Sequence, residues 1–325
     1  MMFFRGAGRY LIIFALMLSL FVLFSLAVIY EYPPVWPDET VFADTAYELA
    51  FNGRLATPVW SYIAEGMGER AVWYPPVHFI LLGGVYRLFG FGILQTRLLS
   101  LFFSTVLVAS LFLVSLKVTG GNKRASLLVA GLLVVDPVFI RGAIIGRGDV
   151  IAVSLMVLGL LCYLSYRRHV LAGSLIGFSV MTQLIGVFGF VAIFLVSFLD
   201  KDRKKILACI TIPAILIFSA WGIYALMDVG TFISQFSGQI GEKTGIQPSD
   251  ILFFMKFYVE TYFFSAPNWL RNGLSYYIVL ACFTVLFTVS AYHLIKNRSN
   301  KTSLIVAVFF FSQIIAYNLG RHGMW

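Results

Sequence analysis

Apolar runs close to membrane-crossing length recur along this chain, and nothing else in it limits the fold so severely. A helix needs about 20 consecutive apolar residues to cross a bilayer, because each contributes roughly 1.5 Å of rise. Residues 10–29, 98–116, 206–227 and 274–295 are runs of that order, and 126–140, 150–166, 170–181, 184–199 and 303–318 are shorter ones. Membrane β-barrels would show short alternating segments instead. The expectation is one all-α polytopic membrane domain over residues 1–325, with about nine transmembrane helices. Composition agrees: 60% of residues are hydrophobic and 12% charged, against roughly 25% charged in soluble domains. That excludes a soluble globular protein and a disordered chain. Cys162, Cys209 and Cys282 all lie in apolar runs and read as small buried hydrophobes rather than a disulfide framework. The histidines His78, His169, His293 and His322 show no metal-ligand spacing, so no metal site is assigned, although a divalent cation stays allowed as a cofactor.

The formal charge of +9 reads as the basic excess of cytoplasmic loops, not as a nucleic-acid surface. With the N-terminus inside, Arg5, Arg9, Lys117, Lys123, Arg124, Arg167, Arg168, Lys201, Arg203, Lys204, Lys205, Lys296, Arg298 and Lys301 all fall inside, facing Asp200 and Asp202. This tally requires Val77–Phe89 not to cross. At about 13 residues, opening after Tyr74-Pro75-Pro76 and carrying His78 and Arg87, it reads as an interfacial amphipathic helix. The first run is too long for a signal peptide and lacks a small-residue cleavage site, so it reads as an anchor. Residues 30–97 then form a long outer loop, and 228–273 a second one, with another interfacial helix expected over 251–264.

Three groups of polar residues could carry chemistry. The first is Trp36-Pro37-Asp38-Glu39 with Asp44, Tyr47 and Glu48, just beyond the first membrane helix. Pro37 can open a short helix at Asp38. A carboxylate partly desolvated near the bilayer is a candidate general base, and Asp38-Glu39 is favoured for that role. Asp44 and Glu48 are expected to face water. The second is Arg141 to Asp149, in which a guanidinium could hold a phosphate, and Asp149 either faces the same cavity or caps the next helix. The two outer segments would have to meet in space. The third is Thr182-Gln183, at the turn of a helix pair too short to cross comfortably, where Gln183 points into a polar pocket or is an ordinary turn amide. Trp36, Trp60, Trp73 and Trp269 read as interfacial anchors.

Pro37-Asp38-Glu39, the following Asp44-x-Ala46-x-x-Leu49-Ala50-x-Asn52-Gly53, Tyr74-Pro75-Pro76, Arg87-Leu88-Phe89-Gly90, Arg97-Leu98-Leu99-Ser100, Asp136-Pro137 and Arg147-Gly148-Asp149 together resemble the GT-C membrane glycosyltransferases. The likeness is to the protein O-mannosyltransferases and the lipid A aminoarabinose transferase, and it covers about residues 1–205. The resemblance implies transfer of a sugar, with inversion, from a polyprenyl-phosphate donor to a protein or lipid hydroxyl. It places the catalytic loop, residues 30–97, on the outer face of a bacterial or archaeal plasma membrane. It also implies Asp38 as base and Glu39 as its orienting neighbour. Arg147 and Asp149 fall near the donor's phosphate and sugar, with Arg141 in support, and Asp44, Tyr74 and His78 fall on the substrate loop. Relatives often carry a lysine near Gln183, so its absence here leaves the phosphate to an arginine. Relatives also carry later helices and an outer soluble domain, so a chain ending at Trp325 reads as a truncated or minimal member.

A lipid-linked sugar transporter or flippase is the rival reading, and a noncatalytic membrane subunit a third. A transporter should carry ionisable residues near mid-membrane, and few are there. A noncatalytic subunit would make Asp38 replaceable.

Overall fold

The computed structural model describes residues 8–241 apart from 63–65, 167, 199 and 201, and the described residues form helices with no strand. Helix α1 (Gly8–Val28) buries only Phe21 and Ser25 and leaves Leu16, Leu20 and Leu23 exposed, the surface of a helix meant for lipid. Phe14 anchors it by stacking on Phe112 of α4 (Ile93–Val118), ring centroids 4.2 Å apart. Together with α10 (Arg203–Leu226), these are three helices long and apolar enough to cross a membrane, so the chain is an integral membrane protein.

Helix α4 turns back through Gly120 and Gly121, whose φ values of +64° and +92° suit glycine, and Asn122 caps α5 (Lys123–Val135) by accepting from the Ala125 N–H at 3.1 Å. The expected span over 126–140 is broken. Pro137 has no N–H to continue the ladder, and the Asp136 carboxylate accepts from Val138 N at 2.8 Å, starting α6 (Pro137–Ile144) at a 69° bend. Next come α7 (Gly148–Leu161), continued by a π-helical turn over Cys162–Tyr166, then α8 (His169–Val180) and α9 (Gly186–Ser197). The last two have 12 residues each, so the count of nine crossings is not reached by length and composition. Three described helices qualify, or four with the bent pair. The expected spans 274–295 and 303–318, the helix over 251–264, Trp269, Cys282, His293 and His322 lie outside the described residues.

Helix α8 lies against α7 and α10 through small residues. A Cβ on Gly173 would sit 2.3 Å from the Ile210 carbonyl oxygen, and one on Gly177 2.9 Å from Ala214 Cα. Gly173→Val should therefore cost about 1–3 kcal/mol by overpacking. Gly222→Ala, where nothing lies within 4 Å, should be neutral or stabilising by up to ~1 kcal/mol. Unfolding of the purified protein in detergent distinguishes them, and equal effects would argue against the close α8–α10 approach.

Between α1 and α4 runs the long segment that carries Asp38. Helix α2 (Pro37–Tyr47) opens with Pro37 and passes through a π turn, Glu48–Asn52, that Gly53 ends at φ +66°. Helix α3 (Val77–Phe89) forms over the stretch expected to be short. It buries His78, Phe79, Leu82, Gly83 and Tyr86 on one face, and Gly83 admits the Ala46 carbonyl of α2, 3.1 Å from where a Cβ would stand. Trp73 is no anchor at a membrane surface, because it is buried with Phe42, Tyr74 and Phe79 in an aromatic cluster. Asp44 and Glu48 do not simply face water. Asp44 accepts from the Val59 N–H at 2.9 Å and is half-buried, which pushes its carboxyl above the usual range, and Glu48 is buried and paired with Arg54 at 2.8 Å. Helix α11 (Val229–Gly241) reaches back to this segment. The Gln235 amide accepts from Val72 N and donates to the Arg70 carbonyl, both at 2.9 Å, and Arg70 stacks over the Tyr224 ring at 4.4 Å.

Candidate active site

The two polar segments around Asp38 and Arg147 do meet. Arg147, the residue before α7, reaches Asp38 Oδ2 at 3.2 Å through one guanidinium nitrogen and Asp149 Oδ2 at 2.9 Å through Nε. The second contact is an ion pair whose angle is too poor for a hydrogen bond. Burial pulls the Arg147 pKa down, but Asp149 and Asp38 outweigh it and hold the guanidinium above its ordinary value. The side chains of Asp38 and Asp149 stay 32% and 40% exposed, open to a ligand, while Arg147 is 16% exposed. The cluster therefore pairs two carboxylates with a single cation. Asp149 does not cap α7; its Oδ1 accepts instead from the Gln183 side-chain N–H at 2.8 Å, so Gln183 does turn inward.

Glu39, although adjacent to Asp38, lives in a different environment. Its side chain is 1% exposed and takes a two-pronged bond from Arg97, Nε to Oε1 at 3.0 Å and Nη2 to Oε2 at 2.8 Å. It also accepts from Trp36 N at 2.9 Å and Gly146 N at 2.8 Å, and Arg97 spends another nitrogen on the Ile29 carbonyl at 2.7 Å. This ion pair ties together the end of α1, the start of α2, the first turn of α4 and the α6–α7 corner. Gly146 is required there, since a Cβ would stand 2.2 Å from Thr96 Cγ2. Arg97 was not singled out as a site residue from sequence. The available signal was an arginine in the first turn of an otherwise apolar span, a costly placement that demands a buried partner.

Arg141 stands apart from both ion pairs. It lies over the Trp36 ring, 5.1 Å from the centroid, and among the described residues no carboxylate pairs with it. Tyr74 and His78 back the cluster from below. The Tyr74 hydroxyl and both His78 nitrogens are buried with no aligned hydrogen-bond partner, although the Gln183 amide bears on the Tyr74 hydroxyl. Burial pushes the Tyr74 pKa well up and pulls that of His78 down to about 4, so both groups are neutral at pH 7. No three His, Cys, Asp or Glu side chains converge as a metal-holding group among the described residues. A cavity of about 720 Å³ opens between α3, α8 and the C-terminal end of α10, walled by Val77, Ile80, Phe178, Met181 and Trp221, with Arg54, Glu69 and Arg70 also lining it; none of the cluster's side chains is in its wall.

Two crystal structures share this arrangement of helices. ArnT from Cupriavidus metallidurans bound to undecaprenyl phosphate matches with a TM-score of 0.65 over 94% of this chain, and the apo state of the same protein with 0.62 over 97%. The fold is that of ArnT. Sequence identity is 16% in both cases, and the chain spans 56% and 58% of the length of those structures. The all-helical membrane architecture expected from the sequence is thus supported. No protein-family model matches the sequence, and no curated protein matches it significantly.

Proposed function

We propose that this chain is a membrane glycosyltransferase that moves a sugar from a polyprenyl-phosphate-linked donor to a protein or lipid hydroxyl, with inversion, on the extracytoplasmic side of a bacterial or archaeal plasma membrane. The observation that carries the reading is the Asp38–Arg147–Asp149 cluster, an open carboxylate fixed in direction where the outer ends of α2 and α7 meet. The ArnT fold supports it, since ArnT has been crystallised with undecaprenyl phosphate. The apolar cavity between α3, α8 and α10 is of a kind that could take part of a lipid chain.

In this reading Asp38 takes the acceptor hydroxyl's proton as its oxygen attacks the anomeric carbon, and the bond from that carbon to the phosphate oxygen breaks. The departing polyprenyl phosphate needs a cation more than an acid. Sequence put Arg147 first for that task; in this reading Arg141 takes it instead. Arg147 already answers two carboxylates and serves to aim them, whereas Arg141 has charge to offer. Asp149 and Gln183 lie toward the sugar, Asp44 belongs to the substrate loop, and Glu39 is a positioning residue.

Mass spectrometry of glycans and glycolipids from cells with and without the gene tests the reaction. Loss of a sugar from one class is expected, and identical profiles would argue against the reading. For the donor, Arg141→Ala should weaken binding of undecaprenyl phosphate by about 10–100-fold, the worth of a charge-assisted contact, with lysine rescuing in part. Arg147→Ala should act mainly on turnover. Unchanged affinity in Arg141→Ala would remove that residue from the phosphate site.

A further inference from the structure

Tyr74 and His78 are an expensive pair to keep. A buried donor or acceptor without a partner costs stability, and these two side chains leave three such atoms side by side. Phe42 packs against both rings, 5.0 Å from Tyr74 and 5.4 Å from His78, so phenylalanine and leucine would suit the same apolar surroundings. The Tyr74 hydroxyl and the His78 Cβ both lie against Gly148, which stands in the chain between Arg147 and Asp149 of the catalytic cluster. Gly148, the first residue of α7, lets the pair approach closely: a Cβ there would lie 3.2 Å from the Thr182 carbonyl oxygen, 3.3 Å from the Tyr74 hydroxyl and 3.5 Å from His78 Cβ. The charges of Asp149, Arg147 and Asp38 all act on the Tyr74 hydroxyl.

The chemistry of this wall selects a ligand class. A phosphate would meet Asp38 and Asp149 with only Arg147 to offset them, and a neutral imidazole adds no positive charge. A sugar hydroxyl is different, since it both donates and accepts. Facing it are a phenol that does both, an imidazole with one N–H and one lone pair, and the carboxylate of Asp149. We infer that Tyr74 and His78 read hydroxyls of the donor's sugar ring and set sugar specificity, while the phosphate lies on the Arg141 side. This rests on the glycosyltransferase reading and fixes which way round the donor sits.

Affinity of the purified full chain in detergent for undecaprenyl phosphate, and for polyprenyl phosphates carrying glucose, mannose or galactose, provides the test. The parent should prefer at least one sugar-bearing probe to the bare phosphate. Tyr74→Phe and His78→Leu should each lose about tenfold or more of that preference, with affinity for the bare phosphate unchanged within about twofold. Their unfolding temperatures without ligand should be close to the parent's or higher, because neither the phenol nor the imidazole makes an aligned hydrogen bond that the substitution would remove. Equal loss for bare and sugar-bearing probes would show that the pair faces phosphate, overturning the inference and leaving the function intact. Unchanged preference, no preference in the parent, or a loss accompanied by a fall in unfolding temperature would also overturn it. A parent that binds no polyprenyl probe would overturn both this inference and the proposed function.

Discussion

Asp38→Asn should fold like the parent, bind the polyprenyl donor with little change and turn over about 10²–10⁴-fold more slowly, the usual loss with a general base. Asparagine has nearly the same shape and keeps an oxygen that can face the Arg147 guanidinium, so the α2–α7 junction should hold. What it cannot do is accept the acceptor's proton. The side chain is open enough to reach a substrate, so the effect should fall on turnover rather than on folding. Rates of sugar transfer by purified protein, with donor affinity measured separately, check this. Transfer at the parent rate would remove Asp38 from the chemistry and most of the case for this loop. Asp44→Asn should have a far smaller effect on turnover, because that carboxylate is engaged with the Val59 N–H at 2.9 Å, away from Arg147.

The largest effect on stability should come from Arg97→Met. The arginine is fully buried and bonded to Glu39 through two nitrogens, so its removal strands a carboxylate in the interior. Breaking a buried ion pair from one side typically costs about 3–5 kcal/mol. Glu39→Gln strands the Arg97 cation in turn, so its cost should be of the same order, although the amide oxygen can still accept one bond and Arg97 keeps the Ile29 carbonyl. The double variant should be more stable than Arg97→Met alone, because no uncompensated charge remains. Additive losses, read from unfolding in detergent, would show that the two side chains do not act as a unit. Activity should fall in all three, through displacement of Asp38.

The neighbours Asp38 and Glu39 show how far sequence could reach. Pro37 before two acids announced a helix start, and helix α2 opens there. Spacing could not separate the two carboxylates, because their difference arises from residues distant in sequence: Arg97 for Glu39 and Arg147 for Asp38. The shortness of α3 was legible from its 13 residues and its Pro-Pro entry. The break at Asp136–Pro137 was written in the sequence too, but uninterrupted hydropathy on both sides masked it. Gln183 was legible as a polar residue at a strained turn, whereas its bond to Asp149, 34 positions earlier, depends on α7 and α8 packing side by side. The uncovered polar atoms of Tyr74 and His78 had no signal at all, since burial without a partner is a property of the packed state.

The bond between Gln235 and the strip around Arg70 and Val72 joins positions 163 apart in the chain. In the proposed topology the segment between α1 and α4 is exported long before α11 is made. Until α10 and α11 follow, the Val72 N–H and Arg70 carbonyl must be served by water. The loop bearing Asp38 is therefore delivered early and secured late, in an order imposed by the direction of translation. An arrest of elongation before residue 235 should leave that strip open to protease on the outer side, and elongation past α11 should close it.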